Sequence, residues 1–321
     1  MNDTITGIHH ITAIAGDPQE NLDFYAGVLG MRLVKRSVNQ DSPGTYHLFY
    51  ADADGHPGTD LTFFPWPEMS PGREGAGKAS EIALAVPQGS LGFWSDRLTH
   101  YGAALGEPEV RRGQQAMPLT DPHGLPLALV ETPERTEFTP WDRGPLPVER
   151  QIRGLHSVRL HVLNLVPTAE FLTTTLGFTA IAQEDEWHGY ELAEGGSGKY
   201  LEIRETPGSP RGEWGVGSLP HVAWRVPDDS TELAVRGRVA AAGLRPTDVI
   251  DRFWFKSVYF QEPGGVLFEL ATDGPGFTAD EDLETLGDRL VLPPWLEKRR
   301  SQIEATLPPL RLPSALTALS T

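Results

Sequence analysis

The residues of this sequence that could do chemistry are histidines and carboxylates, because the 321 residues include no cysteine. Disulfides, thiolate metal sites and a cysteine nucleophile are therefore excluded. His10, His156 and His221 lie in short apolar segments, and Glu202 and Glu269 lie in later apolar segments that follow a glycine. Two histidines and one carboxylate on a common face would bind a metal and leave coordination positions open. Such a set suits non-haem Fe(II), and its ligand types also suit Mn(II) or Zn(II).

Glu269 is the strongest single indication of a metal site. It lies within the apolar sequence GGVLFEL, where a carboxylate is costly unless it is paired, hydrogen-bonded or bound to a metal. A lone histidine in a strand is more often structural than a ligand, so the residues alone leave His10 and His156 open as partners of His221. His9 and His10 are neighbours, and neighbouring strand residues face opposite sides, so we expect only one of them to face the site.

Four segments of the chain share one order of elements, and this repeat would position the candidate residues. Each segment begins with a short apolar strand, continues with a helical pattern ended by a glycine, and closes with two or three strands. The predicted helices cover 18–30, 91–101, 168–176 and 231–242. The closing strands place Thr62, Ala128, Glu202 and Glu269 at corresponding positions. Their near-constant distance from the opening strands indicates four βαβββ units.

The predicted fold class is α+β, with four βαβββ modules in two domains. Residues 132–150 are rich in Pro, Glu and Arg and lack periodicity, so we interpret them as a linker. We therefore predict an N-terminal domain at residues 1–145 and a C-terminal domain at residues 150–275, each with two modules. The tail, residues 276–321, has helical patterns over 279–290 and 296–307.

The composition restricts the partners of the chain. The formal charge is −17, from 27 basic and 44 acidic residues, which disfavours nucleic acid and anionic membrane surfaces. No stretch reaches the roughly 18 apolar residues of a membrane span, and the N-terminus lacks a secretory pattern. We therefore expect a cytoplasmic protein with no nucleic-acid or membrane partner, and a monomer and a homo-oligomer both stay open.

Several motifs, in order along nearly the whole chain, carry a family resemblance. They are GIHHIT at 7–12, FYAGVLGMRLVKR at 24–36, YHLFYAD at 46–52, PGGVLFE at 263–269 and GFTADED at 276–282. With these motifs the chain resembles the vicinal oxygen chelate superfamily, which includes glyoxalase I and the extradiol ring-cleaving dioxygenases. Within that superfamily, it looks like the hydroquinone ring-cleaving dioxygenases.

The resemblance implies an extradiol-type dioxygenase that cleaves a small hydroquinone-type aromatic with O2. It also implies Fe(II), or else Mn(II) or another divalent metal, held by His10, His221 and Glu269. Units one and four would then pair around the metal. The catechol-type extradiol enzymes instead use a histidine that matches His156. We favour His10, because the closer resemblance points to it and Thr62 leaves the remaining ligand position vacant.

The resemblance further implies functional residues around the metal. Tyr259 can donate a hydrogen bond to a phenolate oxygen, and Arg252 can compensate negative charge, although an ordinary strand tyrosine and a solvated loop cation fit the residues as well. His9 and Thr12 flank His10 and are expected to hydrogen-bond a ligand or the substrate. One departure is Pro220, since relatives often have a second histidine at that position.

Two functions of other kinds stay open from the sequence. A glyoxalase-like isomerase or lyase on a divalent metal would favour two carboxylate ligands, and Glu202 is the candidate for the second. A metal-free protein that binds an aromatic or drug molecule would need no metal ligands. Oxygen consumption and metal analysis distinguish the three functions.

Overall fold

The computed structural model describes residues 4–133 and 137–312. Its strands form four successive groups, which match the four predicted units. The strands are β1 (Gly7–Ala15), β2 (Arg32–Val38), β3 (Tyr46–Ala51) and β4 (Asp60–Pro65); β5 (Lys78–Pro87), β6 (Ala104–Leu105), β7 (Glu109–Arg111), β8 (Gln114–Thr120) and β9 (Pro126–Thr132); β10 (Gly154–Val162), β11 (Phe178–Glu184), β12 (Trp187–Leu192) and β13 (Tyr200–Glu205); β14 (His221–Val226), β15 (Ile250–Asp251), β16 (Lys256–Gln261) and β17 (Leu267–Thr272).

One helical segment follows the opening strand of each unit, as predicted. The helices are α1 (Pro18–Leu22, continued by the π-helical turn Asp23–Val28), α2 (Leu91–His100), α3 (Leu165–Phe171, continued by the π-helical turn Leu172–Leu176), α4 (Asp229–Ala241) and, in the tail, α5 (Arg300–Glu304). Asp17 begins α1, because its carboxylate accepts hydrogen bonds from the backbone N–H groups of Gln19 and Glu20. Gly177 ends the third helical segment with φ 83°, a conformation that favours glycine. Within the described ranges, no helix has both the length and the apolar character needed to span a membrane.

The strands form two sheets. One sheet combines the first and the last unit, and the other combines the two middle units. The first sheet has the order β15-β16-β17-β14-β1-β4-β3-β2 and joins units one and four, while the second has the order β11-β12-β13-β10-β5-β9-β8-β6 and joins units two and three. Antiparallel pairs connect the units, β1 with β14 and β10 with β5. Both sheets therefore contain strands from both halves of the chain, and the domain limits 1–145 and 150–275 stay a prediction.

The opening strand β1 lies near the middle of the first sheet, and all nine of its residues are buried. The pairing of β1 with β14 shifts by one residue between Ile8 and His10. Such a bulge re-aims side chains. As a result, the rings of His9 and His10 contact each other, with centroids 5.1 Å apart, instead of lying on opposite sides as expected. Of the two, His10 lines the cavity described below.

The tail departs from the predicted helix over 279–290. The structure has two short 3₁₀ turns there, Phe277–Ala279 and Leu283–Thr285. The reason is a tertiary contact, because the fully buried Lys35 ammonium donates to Asp280 and Glu281 at 2.7 and 2.6 Å. The second pattern, over 296–307, forms only a 3₁₀ turn and α5, and the tail beyond residue 312 lies outside the described residues.

Candidate metal centre

Three side chains of the first sheet converge on one point, from the adjacent strands β1, β14 and β17. His221 Nε2 and His10 Nε2 lie 3.0 and 3.4 Å from the Oε2 atom of Glu269, and ligand atoms of the three residues lie within 4.8 Å of one another. Ala223 lies in register with both His10 and Glu269, so a small side chain separates the two. His221 precedes Ala223 by two residues and therefore lies on the same face of β14.

The two oxygens of Glu269 have different surroundings. The Oε1 atom accepts a hydrogen bond of 2.5 Å from Ser257 Oγ, whereas the buried Oε2 atom faces the Nε2 atoms of His221 and His10 and accepts no hydrogen bond from any other described residue. Burial acts to raise the pKa of Glu269, but His10 and His221 hold it well below its usual range. A buried carboxylate with an unsatisfied oxygen beside two imidazole nitrogens is a donor set that fits a divalent cation.

His9 orients His10 for this role. His9 Nε2 lies 3.1 Å from the backbone carbonyl of Thr272, and His9 Nδ1 lies 2.9 Å from His10 Nδ1. Burial, with a contribution from His10, lowers the pKa of His9 to about 3, so its ring is neutral. Because a carbonyl only accepts, His9 donates from Nε2 and accepts at Nδ1 from the Nδ1–H group of His10. This arrangement leaves the lone pair of His10 Nε2 pointing to the cluster, as metal-binding histidines require.

Tyr259 and Arg252 lie beside the cluster and line the same cavity. Tyr259 is in register with Glu269 on the neighbouring strand β16, and its ring meets that of His221 edge to face at 5.7 Å. The Arg252 guanidinium lies 5.5 Å from the Tyr259 ring centre and 3.2 Å from Asp41. Burial and the charge of Glu269 raise the pKa of Tyr259, so the phenol stays protonated and can donate.

Thr12 belongs to a hydrogen-bonded chain that the sequence did not indicate. Its hydroxyl lies 2.9 Å from that of Thr62, and Thr62 Oγ1 lies 3.0 Å from His47 Nε2. The His47 ring packs against Phe49 and Phe64 with centroids 3.8 and 4.3 Å apart. His47 occurs in the YHLFYAD motif, but no local signal marks it as functional, because its polar partner Thr62 lies on another strand.

A cavity of about 310 Å³ opens above the cluster. Most of its exposed wall is apolar, although nine of the eighteen lining residues are polar; these lie at or beside the cluster, at Thr12 and His47, and on the loop at 39–41. The lining residues are His10, Thr12, Ile14, Asn39, Gln40, Asp41, His47, Phe49, Phe64, Trp66, Trp214, Pro220, His221, Arg252, Trp254, Phe255, Tyr259 and Leu267. A space of this volume and lining suits a small aromatic ligand.

The structure does not bring His156 or Glu202 to the cluster. His156 lies on the second sheet with Nδ1 2.9 Å from Ser197 Oγ, and Glu202 accepts a 3.0 Å hydrogen bond from Arg159. In the strand register, Arg159 lies opposite Glu202 in the second sheet, just as Ala223 lies opposite Glu269 in the first. The counterpart of His221 is therefore Ser157, and His156 is one position out of register.

Comparisons with known proteins agree with the repeat and the site. The family model of the Glyoxalase/Bleomycin resistance protein/Dioxygenase superfamily matches residues 7–129 and 154–270. Ring-cleaving dioxygenase MhqO of Bacillus subtilis is 43% identical over 94% of this chain and 96% of its own length. Chlorohydroquinone/hydroquinone 1,2-dioxygenase of Sphingobium indicum is 31% identical over 96% of this chain and 97% of its own.

Solved structures of other proteins share the fold of this chain. The crystal structure of a dioxygenase from Bacillus subtilis superimposes with a TM-score of 0.90 at 40% identity and covers 96% of this chain and 98% of its own. Glyoxalase I from Zea mays, at 17% identity and a TM-score of 0.63, shares the fold over 88% of this chain and 97% of its own. This chain therefore belongs to the glyoxalase/bleomycin resistance protein/dioxygenase superfamily.

Proposed function

We propose that this protein is a metal-dependent ring-cleaving dioxygenase that acts on hydroquinone-type aromatics with O2. The observation that carries the proposal is the buried cluster of His10, His221 and Glu269 at one end of a largely apolar cavity. Relatives that match nearly the whole chain are named as ring-cleaving dioxygenases, one of them for chlorohydroquinone and hydroquinone. A cytoplasmic location belongs to the proposal, and cell fractionation tests it.

The proposed metal is Fe(II), with Mn(II) as the alternative. Two histidines and one carboxylate leave open positions on one side of the ion. When bound, Fe(II) would supply coordination positions for a substrate oxygen and for O2, and would transfer electrons between them. The residues His10, His221 and Glu269 would hold it, and the hydrogen bond from His10 to His9 would keep the first histidine in the required tautomer.

The surrounding residues would bind and orient the substrate. Tyr259, protonated and next to the cluster, would donate a hydrogen bond to a substrate oxygen that carries negative charge. Arg252 would stabilise the same charge from the cavity wall. Phe255, whose ring lies 5.2 Å from that of His10, would exclude water from the reacting face. We propose extradiol-type cleavage, in which the bond that breaks joins a ring carbon that bears a hydroxyl group to a neighbouring ring carbon that bears none.

The second carboxylate expected for the glyoxalase-like alternative does not reach the cluster. Glu202, its candidate, lies on the other sheet, where Arg159 neutralises it at 3.0 Å. The metal-free binding alternative gives no reason for two histidines and a carboxylate to lie buried together at the end of the cavity, since burying a charged group is costly.

The decisive experiment measures metal content and oxygen uptake together. Protein purified anaerobically is loaded with Fe(II), Mn(II) or Zn(II) and mixed with hydroquinone or catechol at an oxygen electrode, and mass spectrometry with labelled O2 identifies the product. We expect uptake with Fe(II) and both labelled atoms in an opened ring. Glu269→Gln should lose the metal, while Glu202→Gln should retain it. Isomerase activity without oxygen uptake, or full activity in Glu269→Gln, would refute the proposal.

A further inference from the structure

We propose that His47 binds the substrate hydroxyl group para to the metal-bound oxygen, and so makes the cavity selective for 1,4-diols. This inference rests on the proposed function, since it concerns which diol the same site accepts. His47 is neither a member of the metal cluster nor one of the residues that contact it.

The position of His47 in the sheet fits this role. β3, which carries His47, is separated from β1, which carries His10, by the single strand β4. Two strand spacings are about 10 Å, so the backbones that carry His47 and His10 lie about that far apart across the sheet, and both side chains line the cavity. A hydroquinone has its two oxygens at opposite ends of one ring, whereas the two oxygens of a catechol lie side by side at the metal end.

The ring of His47 is held in place through one nitrogen, and its other nitrogen is available for a hydrogen bond to a ligand. Its Nε2 atom is fixed by Thr62, which is fixed in turn by Thr12, and its faces pack on Phe49 and Phe64. Among the residues that the structure describes, the hydrogen bond of the ring is made by Nε2, and His47 lines the cavity, so Nδ1 is available to a ligand. A polar atom in a mainly apolar cavity is expected to find a partner in the ligand.

A hydroxyl group matches this nitrogen in either tautomer of His47. If Thr62 donates to Nε2, then Nδ1 carries the proton and donates to the substrate; if Nε2 donates to Thr62, then Nδ1 accepts. A phenolic hydroxyl can do both. A site built around such a hydroxyl discriminates against an analogue without it, because the protein group is then left unpaired.

The test measures binding of hydroquinone and phenol to the full-length protein. The protein is loaded with Zn(II), which has no redox chemistry, and dissociation constants are determined anaerobically by calorimetry. After correction for its two equivalent hydroxyl groups, hydroquinone should bind the wild type about tenfold more tightly than phenol. His47→Phe should abolish this difference and leave the phenol affinity within about twofold. His161→Phe, which removes a histidine of the second sheet, is the control and should retain the difference.

Two results would overturn the proposal: equal affinities for hydroquinone and phenol in the wild type, or an undiminished difference in His47→Phe. If His47→Phe does not fold, as judged by its phenol affinity and thermal melting, His47→Leu is measured instead. Leucine has no atom that donates or accepts a hydrogen bond, so this variant must also lose the difference. The proposed function fails separately, through the absence of oxygen uptake in the iron-loaded wild type, and binding to the zinc form is independent of that result.

Discussion

Replacement of His9 by leucine should weaken metal binding although His9 is not itself a ligand. In the wild type, the Nδ1–H group of His10 donates to His9 over 2.9 Å, in an environment that is fully buried. In His9→Leu this donor has no acceptor. The metal-free protein can relax, because His10 can carry its proton on Nε2 and donate to Glu269 instead. When a metal is bound at Nε2, His10 cannot carry its proton there. The cost of the unpaired donor therefore falls on the metal-bound state and weakens metal binding.

The expected magnitude follows from the cost of one buried donor left unpaired, about 1–3 kcal/mol. Since 1.4 kcal/mol corresponds to a factor of ten, the metal affinity should fall by roughly 5- to 150-fold. Mutations of groups that hydrogen-bond a metal-binding histidine typically lower affinity by about 10- to 100-fold, so the two estimates agree.

A competition titration of Zn(II) against a chromophoric chelator measures this affinity without any catalytic readout. His9→Gln, whose amide oxygen can still accept, should recover most of the affinity. His161→Leu removes a histidine that stacks on Trp187 at 5.5 Å in the second sheet, and it should bind metal like the wild type. An affinity of His9→Leu within twofold of the wild-type value would refute the proposed orientation of His10.

Three further predictions concern the ligand choice, the substrate contacts and a buried acid. His10→Ala should lose bound metal in elemental analysis, whereas His156→Ala should keep it; the reverse would move the site to the second sheet. Tyr259→Phe should bind metal but lower kcat by about ten- to a hundredfold, and Arg252→Ala should mainly raise KM in the same oxygen-uptake assay; an unchanged kcat would make Tyr259 a packing residue. Burial, with Asp229 adding to it, raises the pKa of Glu232 to about 7, above its unfolded value, so this acid should reduce stability progressively as pH rises from about 4.5 to 7. Glu232→Gln should therefore be more stable than the wild type at pH 8, by on the order of 2 kcal/mol, and no more stable at pH 4; equal denaturation midpoints at pH 8 would contradict this.

The four units were predictable from sequence because local signals mark their limits. Asp17 and Gly177 act through hydrogen bonds and backbone conformation within a few residues, so the helix boundaries can be seen in the chain itself. The pairing of strands is different in kind. That units one and four share a sheet depends on contacts between residues more than two hundred positions apart, and here only the family resemblance supplied the expectation.

Long-range contacts also explain the errors. The acidic tail segment reads as a helix, but the buried ammonium of Lys35 binds Asp280 and Glu281, and this contact decides the backbone conformation. Alternation along β1 predicts opposite directions for His9 and His10, but a bulge against β14 overrides it. His47 has its polar partner on another strand, so nothing in its own segment distinguishes it from an ordinary strand residue.

The register of the two sheets explains why equivalent strands carry different chemistry. The places of His10, His221, Ala223 and Glu269 in the first sheet are taken by Glu81, Ser157, Arg159 and Glu202 in the second. Arg159 replaces an alanine, and its guanidinium lies 3.0 Å from Glu202 and 3.6 Å from Glu81. A buried carboxylate requires compensation in both sheets. The second sheet compensates Glu202 with an arginine of the chain itself. The first sheet has only the methyl group of Ala223 at that place, and the carboxylate of Glu269 faces His10 and His221 instead, which are the residues that we propose to bind a metal with it.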